Sequence, residues 1–187
     1  MASDESKLPL GIKILIGIVI LLFGLPIVLS VPALIIATKE GTRSNEPNEL
    51  TTWEGQDAPD LEITTIANAN LKLSEFRGRG VILDYWATWC GPCLREIPHL
   101  QKLADEFPQD LVVIGVSSEN MPVVQKFASA KSIRYDVGMA TNSQPPYADI
   151  RVIPTTFFID RKGTIRKVLR GYHDYPSLKT QVSLITE

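Results

Sequence analysis

The chain has two cysteines, Cys90 and Cys93, and they stand two residues apart in Trp89-Cys90-Gly91-Pro92-Cys93. An apolar run precedes them and an amphipathic stretch follows, so the pair falls where a strand hands over to a helix. At that junction the free amides and the positive end of the helix dipole stabilise a thiolate on Cys90. The thiolate is the form that attacks a disulfide. Cys93, one turn into the helix, can reach back and resolve the mixed disulfide. Gly91 and Pro92 let the turn close without bulky side chains. Two blander readings stay open. A structural disulfide over so short a loop would constrain the unfolded chain little. Half of a metal site would need partners, and only His99 and His173 are on offer. Dithiol redox chemistry fits best. A peroxidase would want a peroxidatic cysteine elsewhere, and there is none.

Asp84 lies six residues before Cys90 within the apolar run Val81-Ile82-Leu83-Asp84-Tyr85-Trp86-Ala87. A buried carboxylate is costly unless protonated or paired, so its pKa should be raised. The alternative is a strand residue bonded to backbone or water. Glu96 is expected on a helix with solvent nearby, with a structural salt bridge as one of two equal readings. Pro98 should kink that helix. Trp89 is read as a shield for Cys90 and Trp86 as packing. His99 and His173 are read as surface or packing residues.

The elements that must position these groups follow from periodicity. Residues 81–87 and 111–116 read as buried strands. Leu94, Ile97, Leu100, Leu103, Ala104 and Phe107 recur at helical spacing after Gly91. Asn120 can cap a helix starting at Met121 or Pro122. Residues 155–160 and 165–169 read as a hairpin around Arg161-Lys162-Gly163-Thr164. Leu178, Val182 and Ile185 mark a last helix. The fold class is α/β, with a mixed central sheet covered by helices on both faces. Leu61-Glu62-Ile63 and Leu71-Lys72-Leu73 could add an N-terminal hairpin. Residues 135–140 read as the strand of an inserted helix–strand unit, followed by a short helical turn near Tyr147.

The chain carries 19 Lys+Arg and 21 Asp+Glu, a net charge of −2. That balance argues against nucleic acid as a partner. With 44% hydrophobic and 21% charged residues, wholesale disorder is excluded. The charges are unevenly placed. Residues 14–37 contain none, and about 20 apolar residues span a bilayer. A buried core helix, a cleaved signal peptide and an uncleaved signal anchor compete. The anchor fits best, although Pro26 and Pro32 interrupt the run. Lys7 and Lys13 before it balance Lys39 and Arg43 after it, so charge does not set the orientation. The expected organisation is a cytoplasmic tail (1–13), a transmembrane signal anchor (14–37), a polar linker (38–56) and one domain (57–187). Four of the basic and six of the acidic residues precede Asp57, leaving 15 of each in the domain.

Asp84 to Cys93, read as DYWATWCGPC, resembles the active-site stretch of thioredoxin. The wider pattern resembles the membrane-tethered redoxins of the TlpA/ResA type. The matching pieces are Ala58-Pro59-Asp60, Leu73-Ser74-Glu75-Phe76-Arg77-Gly78, Cys93-Leu94-Arg95-Glu96-Ile97-Pro98, and Ile153-Pro154-Thr155-Thr156-Phe157-Phe158-Ile159-Asp160 with Gly163. The resemblance covers about residues 57–187 and implies a thioredoxin fold. It implies a disulfide-forming Cys90 and Cys93, and a cis-proline at Pro154. Ile153 and Thr155 would receive substrate by strand addition, and Trp89, Gly91 and Pro92 would support the site. Asp84 would shuttle a proton to and from Cys93. Many tethered redoxins have asparagine there, and another subset has an acidic residue where this chain has Gly91. The implied activity is protein-disulfide reduction outside the cytoplasm, in the periplasm or its equivalent at the inner membrane. No dissociable cofactor is implied. The implied partners are a membrane thiol–disulfide electron donor, protein disulfides such as apocytochrome c, and the lipid bilayer. A disulfide isomerase or oxidase, and a redox-inert assembly module of the same fold, are the alternatives.

Overall fold

The computed structural model describes residues 49–187. The tail, the charge-free run 14–37 and the first part of the linker lie outside the described residues. Among the described residues no helix is long and apolar enough to cross a membrane. The last part of the expected linker is folded. A 3₁₀ turn spans Glu49–Trp53, Leu50 is buried, and just beyond the turn Gly55 donates its amide to Ile165 O while Ile165 donates its own to Gln56 O. The folded unit therefore starts ahead of Asp57.

One sheet of seven strands organises the unit: β1 (Glu62–Thr65), β2 (Asn70–Lys72), β3 (Gly80–Tyr85), β4 (Leu111–Val116), β5 (Asp136–Ala140), β6 (Thr155–Ile159) and β7 (Ile165–Arg170). Their spatial order is β2-β1-β5-β4-β3-β6-β7. The pairs β3·β4 and β4·β5 are parallel, and all other pairs are antiparallel. β3 and β4 are interior strands, which is why they read as continuous apolar runs. The expected N-terminal hairpin is present as β1·β2, with Glu62 opposite Lys72.

Three helices follow the strands: α1 (Gly91–Glu106), α2 (Met121–Ala130) and α3 (Tyr175–Thr186). The expectation of helices on both faces is corrected. Ile97, Leu100 and Leu103 of α1, Val124 of α2, and Leu178, Val182 and Ile185 of α3 all share one core with Ile82, Val113 and Phe158. The strand order supplies the reason. From β3 to β4 to β5 the chain steps twice in the same direction, and two right-handed crossovers then put α1 and α2 on the same face. The opposite face holds Val81, Leu83, Val112, Ile114 and Phe157. It is covered by Leu50, Leu61, Leu73 and Tyr147 from 3₁₀ turns and loops.

Local signals set most helix ends. Cys90 is the N-cap of α1 and Pro92 sits in its first turn. Asp174 caps α3 by accepting from the Ser177 amide. Asn120 precedes α2 but makes no side-chain cap bond. α1 runs through Pro98 to Glu106. Gly163, at φ +88°, turns the β6–β7 hairpin in a conformation that disfavours other residues. Gly115 of β4 leaves room for Trp86, since a Cβ there would lie 2.9 Å from the indole nitrogen.

Candidate active site

β3 delivers the chain to the site and α1 carries it away. Between them, Cys90 donates its amide to Ala87 O, and the Cys93 amide points at Cys90 Sγ from 3.2 Å. The two cysteines form a disulfide, with their Cα atoms 5.3 Å apart. Cys93 is 1% exposed and Cys90 4%. In this oxidised state both cysteines are buried. Gly91 and Pro92 are exposed, and nothing approaches the Gly91 Cα face within 4 Å. Trp89 is 74% exposed and stands out beside the pair, whereas Trp86 is buried against Phe127.

The cis-proline loop lies alongside. The Ile153–Pro154 bond is cis, and Gly171 donates its amide to Pro154 O. Thr155 is fully buried and its hydroxyl donates to Val152 O at 2.6 Å. Its side chain therefore braces the loop from within.

Two acids are buried in the folded unit, Asp84 on β3 and Glu96 on α1. Asp84 of β3 pairs in register with Thr156 of β6, whose hydroxyl donates to Asp84 Oδ1 at 3.0 Å. That is its one side-chain bond among the described residues, and burial pushes its carboxyl up to about 7. Glu96, three residues after Cys93 on the same buried stripe of α1, is fully enclosed. The expected solvent contact and salt bridge are corrected. Glu96 Oε1 accepts from the His173 amide at 3.2 Å, while Oε2 has no partner among the described residues. Burial and then the Asp84 charge push Glu96 up to about 8. Tyr135 is buried beside them, its hydroxyl also without a partner. Burial raises its pKa, and the charges of Asp84 and Glu96 raise it further. Two carboxyls that titrate near neutrality inside a core can hold or release a proton where water is scarce.

A further glutamate orders the turn. Glu119, just past β4, accepts from the Thr88 amide at 2.6 Å and the Thr88 hydroxyl at 2.8 Å. This clamp fixes the residue before Trp89. The contact spans 31 positions in the sequence, so no local pattern announces it. His99 bonds the Tyr172 hydroxyl, and Arg95 stacks over the same ring. The His173 ring bonds Gly171 O. Among the described residues no three His, Cys, Asp or Glu side chains cluster to hold a metal ion.

The sequence pattern of the AhpC/TSA family matches residues 55–168, a span that contains both cysteines, Asp84, Glu96 and Pro154. The chain belongs to the AhpC/TSA family. It is similar to the thioredoxin-like protein YneN of Bacillus subtilis, at 34% identity over 122 residues, covering 63% of this chain and 72% of that protein. It is also similar to the thiol-disulfide oxidoreductase ResA of Bacillus subtilis, at 32% identity over 134 residues and 67% and 75% coverage. A crystal structure from Chlorobium tepidum, described as a thiol:disulfide interchange protein DsbE, superposes with a TM-score of 0.65 at 27% identity. The superposition covers 72% of this chain and 98% of that one. Within the family this chain is a thiol–disulfide oxidoreductase of the thioredoxin fold, with protein disulfides as its substrate class.

Proposed function

We propose that the chain reduces protein disulfides outside the cytoplasm, held at the membrane by residues 14–37 as an uncleaved anchor. The observation that carries the reductive reading is the Cys90–Cys93 pair at the head of α1, together with two buried carboxyls, on β3 and on α1, pushed up to about 7 and about 8. In the reduced protein the amides at the start of α1 favour a thiolate on Cys90. Cys90 Sγ attacks one sulfur of a substrate disulfide, and the other substrate sulfur leaves as a thiolate. Cys93 then gives its proton to the Asp84 carboxylate and attacks Cys90 Sγ. The second substrate thiolate leaves, and the protein ends as the disulfide. Two electrons pass to the substrate, whose thiolates take their protons from water and from the buried acids.

Residues 14–37 lack any charge and suit the bilayer, and a tethered domain has its use on the outer side, periplasmic in a cell with two membranes. There a membrane thiol–disulfide carrier would return electrons to Cys90 and Cys93. Apocytochrome c is the substrate to which the resemblance to the tethered redoxins points. Catalysed reduction of insulin by the reduced chain, abolished in Cys90→Ser, is the expected result. Equal rates for the two proteins would overturn the reading. An alkaline phosphatase fused after Glu187 should be active, and activity only of a cytoplasmic reporter at that position would overturn the topology.

A further inference from the structure

A cavity of about 420 Å³ opens beside the catalytic turn. Trp89 forms one wall and Ile153, next to the cis-proline, another. It continues from there over Tyr85, Ser117, Tyr147 and Ala148. Trp89 is the residue before Cys90 and Ile153 makes the cis bond to Pro154, so the cavity adjoins the turn that a substrate disulfide must approach. Its size lies within the range of sites that enclose a sizeable group.

Its chemistry narrows the occupant. The chain is 21% charged, yet no Asp, Glu, Lys, Arg or His lines this cavity. A charged side chain entering it would lose hydration without a counter-charge. Four aromatic residues, Tyr85, Trp86, Trp89 and Tyr147, line it, and Trp89 is 74% exposed. Rings of that kind offer offset or edge-to-face stacking to another ring. The Tyr85 hydroxyl is buried with no partner among the described residues, although it can both donate and accept.

We infer that this cavity is a side-chain pocket for the substrate protein, taking an uncharged aromatic residue that lies within two positions of the cysteine attacked by Cys90. The inference rests on the reductase reading and deepens it by naming what the enzyme selects. An extended substrate paired with the Ile153 backbone sends alternate side chains to opposite faces, so one neighbour of the cysteine is aimed at the pocket. A ring there would stack on the exposed Trp89, while the enclosed Tyr85 hydroxyl stays out of its reach.

The test uses the full-length reduced protein and disulfide-bridged peptides that differ at one position beside the cysteine: Tyr, Ala or Asp. The kcat/KM should be about tenfold higher for Tyr than for Ala, with Asp lowest, tenfold being what one good aromatic contact is worth. Ala148→Trp, at an exposed position lining the cavity, should reduce the Tyr-to-Ala ratio to less than about twofold by occupying the space. Ser118→Trp, from a different loop of the lining, should do the same. Reduction of all three peptides with equal kcat/KM would overturn the pocket and leave the reductase reading intact, as would a ratio untouched by both tryptophans. Failure to reduce any peptide would sink the reductase reading and the pocket with it.

Discussion

Glu96 and Glu106 lie ten residues apart on α1 and are treated in opposite ways. Glu106, at the far end, is exposed and satisfied. Lys179 and Tyr175 of α3 both donate to its carboxylate, and the Lys179 bond leads in holding its pKa below the usual range. Glu96, near the disulfide, is enclosed, keeps one oxygen without a partner, and is pushed up to about 8. The far end of the helix does what stability favours. The near end withholds partners from a buried acid, a cost that a purely structural site would avoid. A fold tends to leave such polar groups unsatisfied where their titration is used.

The largest effect that would break this contrast concerns the sulfurs. Cys93→Ser should trap mixed disulfides with substrate proteins, because attack occurs and resolution cannot. Cys90→Ser should trap almost none. Non-reducing electrophoresis reads the difference, and equal trapping would erase the division of labour along the first turn of α1.

Next come the acids. Asp84→Asn keeps shape and a hydrogen-bonding head but removes the titration. Turnover should fall by about a hundredfold, the lower end of what a positioned general acid or base contributes. The loss should fall on resolution by Cys93 and spare the first attack by Cys90. Single-turnover rates from pH 5 to 9 would show it. A pH–rate profile identical to that of the wild type would leave Asp84 structural. Glu106→Gln, the matching change at the far end of the helix, should leave the profile unmoved.

The same acids set a stability slope. Unfolded, Asp84 and Glu96 titrate at their ordinary values of 3.8 and 4.5; folded, at about 7 and about 8. Between those limits the native state binds more protons than the unfolded one, so stability falls as pH rises from about 4 to about 8. Urea midpoints of the oxidised protein should therefore be higher at pH 5 than at pH 8. Asp84→Asn and Glu96→Gln should each flatten the slope. A stability that climbs over this window in the wild type would contradict the buried acids.

The smallest effect belongs to the clamp. Glu119→Gln keeps an acceptor for Thr88 but cannot serve both of its donors with full charge, and loss of one charge-assisted bond is worth about 1.5–3 kcal/mol at most. Trp89 fluorescence anisotropy should drop and kcat/KM should fall by only a few-fold. An unchanged anisotropy would free the turn from Glu119.

Much of this was legible from sequence. The strand β3 was readable because an interior strand is apolar on both faces, and Asp84 stood out for breaking that run. The cysteine pair announced itself by spacing between two periodicities. Glu96 had a signal that its charge obscured: it lies three residues after Cys93 and four before Leu100, on the very stripe that faces the core. The placement of all three helices on one face followed from strand order, which periodicity does not report. Neither does it report Thr88 meeting Glu119, nor the hydroxyl of Thr156 meeting Asp84 across 72 positions.

The midpoint potential of the Cys90–Cys93 couple at pH 7 tests the reductase account most directly. The Gly91-Pro92 pair resembles that of thioredoxin, whose couple lies at about −270 mV, and a value near it is the expected result. A value near the about −120 mV of the oxidant DsbA would contradict the account, making the chain a donor of disulfides to its partners.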